Sequence, residues 1–287
     1  MQENLLRLCY DGDPACRVHH TVGRAEDYAL MSQLHYDTTL NLLLFLRGHG
    51  EIRIEGRLYS FGEGDMIILN PSELHRTTIA DDTVFERISL HIGENLFKSF
   101  GVDGPSVFRA FYERPRGIGN VIRADRLREI GCDKLMREIL LRASGSGSAD
   151  PILLRCKTIE LLSAINEALD LREETDETIG IENELVLEIL QYLNTHYCED
   201  ISLSEIANKF YHSKYHVCHL FREQVGVTVH DYIVLRRIRL VNDLICGGIP
   251  AADACYRAGF GNYSNFFRLY KKHTGMTPAQ FKNTLGK

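Results

Sequence analysis

The sequence predicts a two-domain α+β protein: an antiparallel β-barrel followed by two helices, then a domain built only from helices. Three observations predict this fold. The chain has 287 residues, which is long enough for two domains. Residues 28 to about 92 alternate apolar and polar side chains in short runs separated by glycine, as in a small antiparallel barrel or sandwich. From Asp125 onward, apolar residues recur every three or four positions, which is the helical period.

Short strands account for the first region. Turn residues interrupt it at 47–50, 62–65 and 70–71. The intervening apolar runs predict strands at 40–46, 50–56, 66–69 and 85–92. The barrel is expected to span about residues 20–95.

Two amphipathic helices are predicted next, within residues 125–171. Gly131 interrupts the first, and the second begins near Ile152, after a serine- and glycine-rich loop at 144–148. Such helices cover a barrel or pair with another subunit. The acidic run 173–177 predicts a linker at 173–184, so the first domain is expected at 1–172 and the second at 185–287.

Composition and charge narrow the function classes. No apolar run approaches the roughly 20 residues that span a bilayer, and no secretory leader is apparent, so we expect a cytoplasmic protein without membrane contact. No cysteine pair has the C-x-x-C spacing of a zinc knuckle or redox site. Residues 185–287 carry 12 Lys and Arg against 8 Asp and Glu, whereas the remainder carries 21 against 31. This asymmetry is compatible with nucleic-acid binding by the second domain alone.

A motif occurs twice in the second domain. Residues 213–221 and 262–270 are its two copies. The copies end at Phe221 and Tyr270, which are 49 residues apart. The same separation recurs after them between Gly226 and Gly275, Thr228 and Thr277, and Tyr232 and Phe281. Two short helices of one design in one small domain suggest two devices that enter adjacent grooves of DNA.

Each copy has the parts of a helix-turn-helix motif, which needs a supporting helix, a tight turn and a recognition helix. The motifs are predicted at about 202–223 and 250–273. Ser202 and Glu205 form a capping box before the first supporting helix. Ser213 and Asn262 are suitable N-caps for the recognition helices, and a continuous helix over 233–246 is expected to fix their separation.

The segment 258–278, followed by Phe281, resembles the signature of the AraC/XylS family of transcriptional regulators, and the resemblance covers about residues 185–285. It implies binding to double-stranded DNA. By position, the resemblance implies that Tyr215, Cys218 and His219 read bases in the first motif and that Tyr263, Ser264, Phe267 and Arg268 do so in the second. Of these residues only Arg268 has the forked guanidinium that suits guanine, whereas Cys218 and His219 read bases poorly in a bidentate manner. Lys282 replaces the arginine that is usual in the family. The residues expected at the DNA interface are Ser213, Lys214, Tyr215, Cys218, His219, Arg222, Asn262, Tyr263, Ser264, Phe267, Arg268, Lys271 and Lys272.

Residues 42–50 and 62–71, followed by His75, resemble the cupin-like barrel that precedes such DNA-binding domains. His35, Asp37, Asn41 and His75 stand where metal-binding cupins place their ligands. This incomplete set indicates a lost site, so no metal or other cofactor is expected, and a weakly bound metal stays open as the alternative. A barrel interior with charged donors suits a hydroxylated or anionic small molecule. The expected effector-binding residues are His35, Arg47, His75, Arg87 and His91.

These observations favour a DNA-binding regulator, not an enzyme, that responds to a small-molecule effector. The family resemblance implies a sugar-type effector, a homodimer and, for an activator, contact with RNA polymerase. Two alternatives stay open. One is a metal-dependent cupin enzyme with a helical appendage, and the other is a constitutive DNA-binding protein whose barrel only dimerises.

Overall fold

A computed structural model describes residues 6–13, 16–25, 35–37, 39–71, 73–80, 84–93, 96, 107–144, 150–170 and 183–285. The chain divides into two compact units, Met1–Ile181 and Glu182–Lys287. Most of the predicted linker, residues 173–182, lies outside the described residues, as do residues 145–148 of the predicted loop. Among the helices that the structure describes, none is both long and apolar enough to cross a membrane.

Two antiparallel sheets form the first unit. A six-stranded sheet has the order β1-β2-β8-β3-β6-β9, and a three-stranded sheet has the order β5-β4-β7. The strands are β1 Leu6–Asp13, β2 Cys16–Arg24, β3 Leu40–Arg47, β4 Gly50–Ile54, β5 Arg57–Phe61, β6 Met66–Leu69, β7 His75–Ile79, β8 Val84–Ile92 and β9 Val121–Ile122.

The larger sheet buries both of its faces, since successive side chains of a strand point to opposite sides. Leu40, Leu42 and Leu44 of β3 pack on one side with residues of the helices that follow the strands. Leu43 and Phe45 pack on the other side with residues of the smaller sheet. The space between the two sheets is therefore the interior of the barrel.

Helices cover the outer face of the larger sheet. They are α1 Arg109–Tyr112, α2 Ala124–Glu129, α3 Cys132–Ser144 and α4 Pro151–Asp170. Gly131, at φ 73°, separates α2 from α3, as the sequence predicts. Met136 and Ile139 of α3 and Leu161 and Ile165 of α4 join the core beneath this face.

Strands β1, β2, β5, β7 and β9 are not among the strands predicted from the sequence. A partly polar barrel interior explains why β7 does not show the expected pattern. In β7, the polar residues His75 and Thr77 are buried together with Ile79, and Thr78 is exposed. In β2, Cys16 and Val18 belong to the core beneath the helices, whereas Arg17 between them is exposed.

The second unit is all-helical, as predicted. Its helices are α5 Glu184–His196, α6 Leu203–Lys209, α7 Lys214–Val225, α8 Val229–Cys246, α9 Ala251–Arg257, α10 Tyr263–Thr274 and α11 Pro278–Leu285. The connecting helix α8 begins four residues before the predicted start, because Thr228 caps it and accepts from Asp231 N.

Candidate functional sites

The two copies of the repeated motif begin with matched caps. Ser213 accepts a hydrogen bond from His216 N at the start of α7. Asn262 accepts one from Asn265 N at the start of α10. Each cap satisfies a backbone N–H that the helix leaves unpaired, which confirms the predicted N-caps.

The glycine and threonine landmarks end one helix and start the next. Gly226 and Gly275 are C-caps of α7 and α10 with φ of 86° and 73°, the left-handed region that favours glycine. Thr228 then caps α8, and Thr277 accepts from Gln280 N while its own N–H donates to Gln280 Oε1. The two segments related by the 49-residue displacement therefore have the same arrangement of helix, turn and helix.

Aromatic residues anchor the inner face of each recognition helix. Phe221 is fully buried and contacts the Tyr232 ring edge to face, with 5.7 Å between ring centroids. Phe266 and Tyr270 are also fully buried, and the Tyr270 hydroxyl donates to Asn242 Oδ1 at 2.6 Å. Burial raises the pKa of Tyr270, so this hydroxyl stays protonated as the donor.

The opposite faces of α7 and α10 are exposed. Tyr215 is 80% exposed, Tyr263 is 36% exposed and Phe267 is 38% exposed. Phe267 therefore lies on the surface, while the adjacent Phe266 occupies the core. The remaining predicted interface residues are exposed as well: Ser213, Lys214, Cys218, His219, Arg222, Asn262, Ser264, Arg268, Lys271 and Lys272.

Short-range contacts orient some of these side chains. Arg268 Nη2 donates to Asn265 Oδ1 at 3.1 Å. His219 Nδ1 lies 3.7 Å from Glu223 Oε2, and its ring stacks on Tyr215 with 6.1 Å between centroids. The guanidinium of Arg268 is thereby held at the surface of α10 by a side chain one turn away.

Two of the three arginines of α8 bind α5 or the residues that follow it, and the third pairs within α8. Arg236 Nε donates to Asn194 Oδ1 at 2.8 Å. Arg237 donates to the backbone oxygens of Tyr197 and Glu199 just after α5. Arg239 pairs with Asp243 at 3.0 Å. Positive charge on this helix therefore contributes to packing.

Tyr211, in the turn before α7, is an exposed aromatic residue that is absent from the interface residues predicted above. It is 95% exposed and has a φ of 58°, which is uncommon for a residue other than glycine. The equivalent turn of the second motif has Gly259, with φ 87°. The absence of glycine from the first turn is the signal that would have identified Tyr211.

Polar residues face the barrel interior from three strands. On β8, Arg87, Ser89 and His91 share a face with Phe85, which belongs to the core between the sheets. Asn41 of β3 lies opposite His91 in register, and His75 and Thr77 of β7 belong to the facing sheet. Ser89 is 1% exposed, and its hydroxyl has no hydrogen-bond partner among the described residues.

Arg47 does not belong to this interior group. The pairing of β3 with β8 shifts register between Phe45 and Arg47, and Arg47 is exposed at the end of β3. A bulge of this kind breaks the alternation on which the prediction depended. The structure thus corrects Arg47 as an inward-facing residue.

His35, Asp37 and His75 come together at one end of the interior. Backbone hydrogen bonds run in both directions between His35 and His75, and their ring centroids are 4.4 Å apart. His75 Nε2 lies 3.5 Å from Asp37 Oδ2. Burial and the neighbouring His35 lower the pKa of His75. Burial also lowers the pKa of His91 to about 4, so both imidazoles are neutral near pH 7.

A fully buried carboxylate, Glu73, fixes the segment before His75. Arg114 Nη2 donates to Glu73 Oε2 at 2.8 Å, and the N–H groups of Asn70 and Gly117 donate to the same carboxylate. Burial acts to raise the pKa of Glu73, but the Arg114 charge and these hydrogen bonds hold its pKa below the ordinary value.

Two protein-family models match the chain. The AraC-like ligand-binding domain matches residues 22–162, which contain most of the barrel and its helices. A helix-turn-helix domain matches residues 206–284, which contain both recognition helices.

Two relatives identified by sequence agree with these matches. The chain is 24% identical to the arabinose operon regulatory protein of Escherichia coli over 250 residues, 84% of this chain and 79% of that protein. It is 32% identical over 104 residues to the HTH-type transcriptional regulator YdiP of E. coli, about a third of the length of each. The solved structure of ToxT from Vibrio cholerae matches 95% of this chain and 100% of that chain, with 13% identity and a TM-score of 0.40.

The family model for the ligand-binding domain matches the barrel, and the model for the helix-turn-helix domain matches the region with the paired motifs. The chain belongs to the AraC family of DNA-binding transcriptional regulators.

Proposed function

We propose that α7 and α10 make the sequence-dependent DNA contacts and that a small molecule in the barrel controls them. The supporting observation is the exposed face that each recognition helix presents opposite its buried aromatic anchor. Each face combines tyrosine with basic side chains, which suits both base edges and phosphates.

Different side chains have different roles in this proposal. Arg268 donates two hydrogen bonds to guanine O6 and N7, and Phe267 contacts a thymine methyl group. Lys214, Lys271 and Lys272 contact phosphates, which position the protein without reading sequence. Among the α7 residues in this proposal, only Arg222 has a guanidinium group, and it is not at a position expected to read bases. The contribution of α7 therefore depends more on fit to the shape of the DNA.

Alkylation of cysteine tests whether α7 faces DNA. Cys218 is exposed on α7, and Cys156 is exposed on α4 in the other unit, which makes it a matched control. We expect duplex DNA selected from a random pool to protect Cys218 from iodoacetamide, as measured by mass spectrometry, while Cys156 reacts at an unchanged rate. Equal reaction of Cys218 with and without DNA would contradict the proposal.

For the barrel, we propose a hydroxylated or anionic effector, with sugars as the first class to test. His35, His75, Arg87 and His91 are donors or acceptors within or beside a space that Leu43 and Phe45 make partly apolar. The unsatisfied hydroxyl of the buried Ser89 supports a polar ligand, because burying such a group without a partner costs about 1–3 kcal/mol.

Thermal unfolding tests the effector. We expect at least one monosaccharide or small carboxylic acid to raise the Tm of the full chain, since a ligand that binds only the folded state stabilises it. Ser89→Ala should reduce that shift, while Thr78→Ala, an exposed β7 substitution, should leave it unchanged. A screen of both classes without any shift would remove the effector proposal.

A homodimer is proposed through α3 and α4. Leu141 near the end of α3 is 70% exposed, and Ile152 at the start of α4 is 64% exposed. Both helices also contribute to one core, so Leu141 and Ile152 are exposed apolar residues on two helices that pack together. Sedimentation should show a dimer that L141E/I152E converts to a monomer, and an unchanged sedimentation coefficient would contradict this surface. If the protein activates transcription, RNA polymerase is the further partner.

A further inference from the structure

The cluster of His35, Asp37 and His75 offers two imidazole nitrogens and a carboxylate oxygen to one point. Their ligand atoms all lie within 4.8 Å of one another. The separation between His75 Nε2 and Asp37 Oδ2 is 3.5 Å. Two ligands about 2.0–2.1 Å from a tetrahedral metal are about 3.3 Å apart, so this pair already has the required separation.

The hydrogen bonding of His75 leaves its Nε2 atom as an acceptor. His75 Nδ1 lies 3.0 Å from the backbone oxygen of Glu73. A carbonyl oxygen only accepts, so Nδ1 carries the proton, and Nε2 of the neutral ring carries a lone pair. That lone pair faces Asp37 Oδ2 across 3.5 Å. Two acceptors in this arrangement need a cation or a proton between them.

Other contacts hold the three groups in place. Asn41 Nδ2 donates to Asp37 Oδ2, which orients the carboxylate. Backbone hydrogen bonds of 3.0 and 2.8 Å tie His35 to His75. The bond from His75 Nδ1 to a backbone carbonyl is the kind of outer contact that fixes the tautomer of a metal-binding histidine.

We propose that His35, Asp37 and His75 bind one divalent first-row transition-metal ion in the barrel. Imidazole and carboxylate ligands suit Zn²⁺ and Fe²⁺, and three protein ligands leave a coordination position for water or another oxygen ligand. The sequence predicts a lost site because the ligand set of metal-binding cupins is incomplete, with Asn41 at one of the ligand positions. In the structure, Asn41 instead supports Asp37, and three ligands remain.

Zinc binding by the full chain tests this site. Protein stripped with a chelator and dialysed against Zn²⁺ at pH 7.5 should retain one equivalent, measured by plasma mass spectrometry. Co²⁺ should bind in its place and give visible absorption bands. His35→Gln and Asp37→Asn should each weaken binding by more than about tenfold. The control His49→Gln, which replaces an exposed histidine in a turn, should bind Zn²⁺ as the parent protein does.

Circular dichroism shows whether the variants are folded. Because H35Q and D37N each remove a different metal ligand, the test does not depend on the stability of a single variant. If the parent protein retains no Zn²⁺, the proposal is overturned, and a proton instead lies between His75 Nε2 and Asp37 Oδ2. Equal retention by folded D37N or H35Q would place the ion elsewhere and overturn it as well. The Cys218 protection experiment measures DNA contact by the other unit, so its outcome is independent of this one.

Discussion

Arg268 and Asn265 are joined on the outer face of α10, where Arg268 Nη2 donates to Asn265 Oδ1 at 3.1 Å. The two residues are three positions apart and therefore neighbours on the helix surface. Asn265 also donates its backbone N–H to the cap Asn262. The position of the Arg268 guanidinium is thus linked to the start of its own helix.

Replacement of Arg268 by alanine should relax base preference at one base pair. A bidentate arginine–guanine contact contributes about 1–3 kcal/mol of discrimination, which R268A removes. Selection from random duplexes, followed by competition between the selected site and its single-base variants, measures the loss. Arg142→Ala removes an exposed arginine from α3 and is the charge-matched control. Identical preferences of R268A and the parent protein would exclude Arg268 as a base reader.

Removal of Lys271 and Lys272 should change salt dependence without changing base preference. Both side chains are exposed in the last turn of α10. Each phosphate contact releases counterions, so the slope of log affinity against log salt should become shallower by about two in the double alanine variant. Fluorescence anisotropy at several salt concentrations measures this slope. An unchanged slope would show that neither lysine contacts phosphate.

The sequence predicts the helical unit better than the barrel for a physical reason. Helix caps are local, so Ser213 and Asn262 are recognisable from a few neighbouring residues. Whether Phe266 or Phe267 faces the core depends on how α10 is rotated about its axis. Only the structure assigns Phe266 to the core and Phe267 to the surface.

Strand predictions fail where the interior is polar or the register shifts. His75 and Thr77 are buried although they are polar, and Arg47 leaves the interior after a bulge. The family resemblance points to His35, Asp37 and His75 one by one, but their approach depends on pairing between distant segments, which only the structure shows.

Replacement of Glu73 by glutamine should destabilise the barrel strongly. Glu73 is fully buried and Arg114 is nearly so, and removing the negative charge leaves a buried guanidinium uncompensated. Breaking such a pair costs about 3–5 kcal/mol. Urea unfolding followed by circular dichroism measures the cost.

A surface pair of the same residue types provides the control for that variant. Glu129 pairs with Arg126 at 2.9 Å, and the Glu129 side chain is 65% exposed. Glu129→Gln should therefore change the free energy of unfolding by less than about 1 kcal/mol. Similar losses in E73Q and E129Q would contradict a special role for burial. The double variant E73Q/R114M should recover part of the lost stability, since it removes the uncompensated charge.

Replacement of Gly259 by alanine should destabilise the helical unit more than the same change at Gly275. Both residues have positive φ, 87° and 73°, so each alanine pays a backbone strain of about 1–2 kcal/mol. At Gly259 an added Cβ would also lie 2.1 Å from the backbone oxygen of Cys198, whereas at Gly275 it would meet nothing within 4 Å. The second turn can therefore close against the chain after α5 only with glycine. Urea unfolding of G259A and G275A separates this contact from backbone strain. Equal destabilisation would mean that the backbone near Cys198 moves aside at no cost.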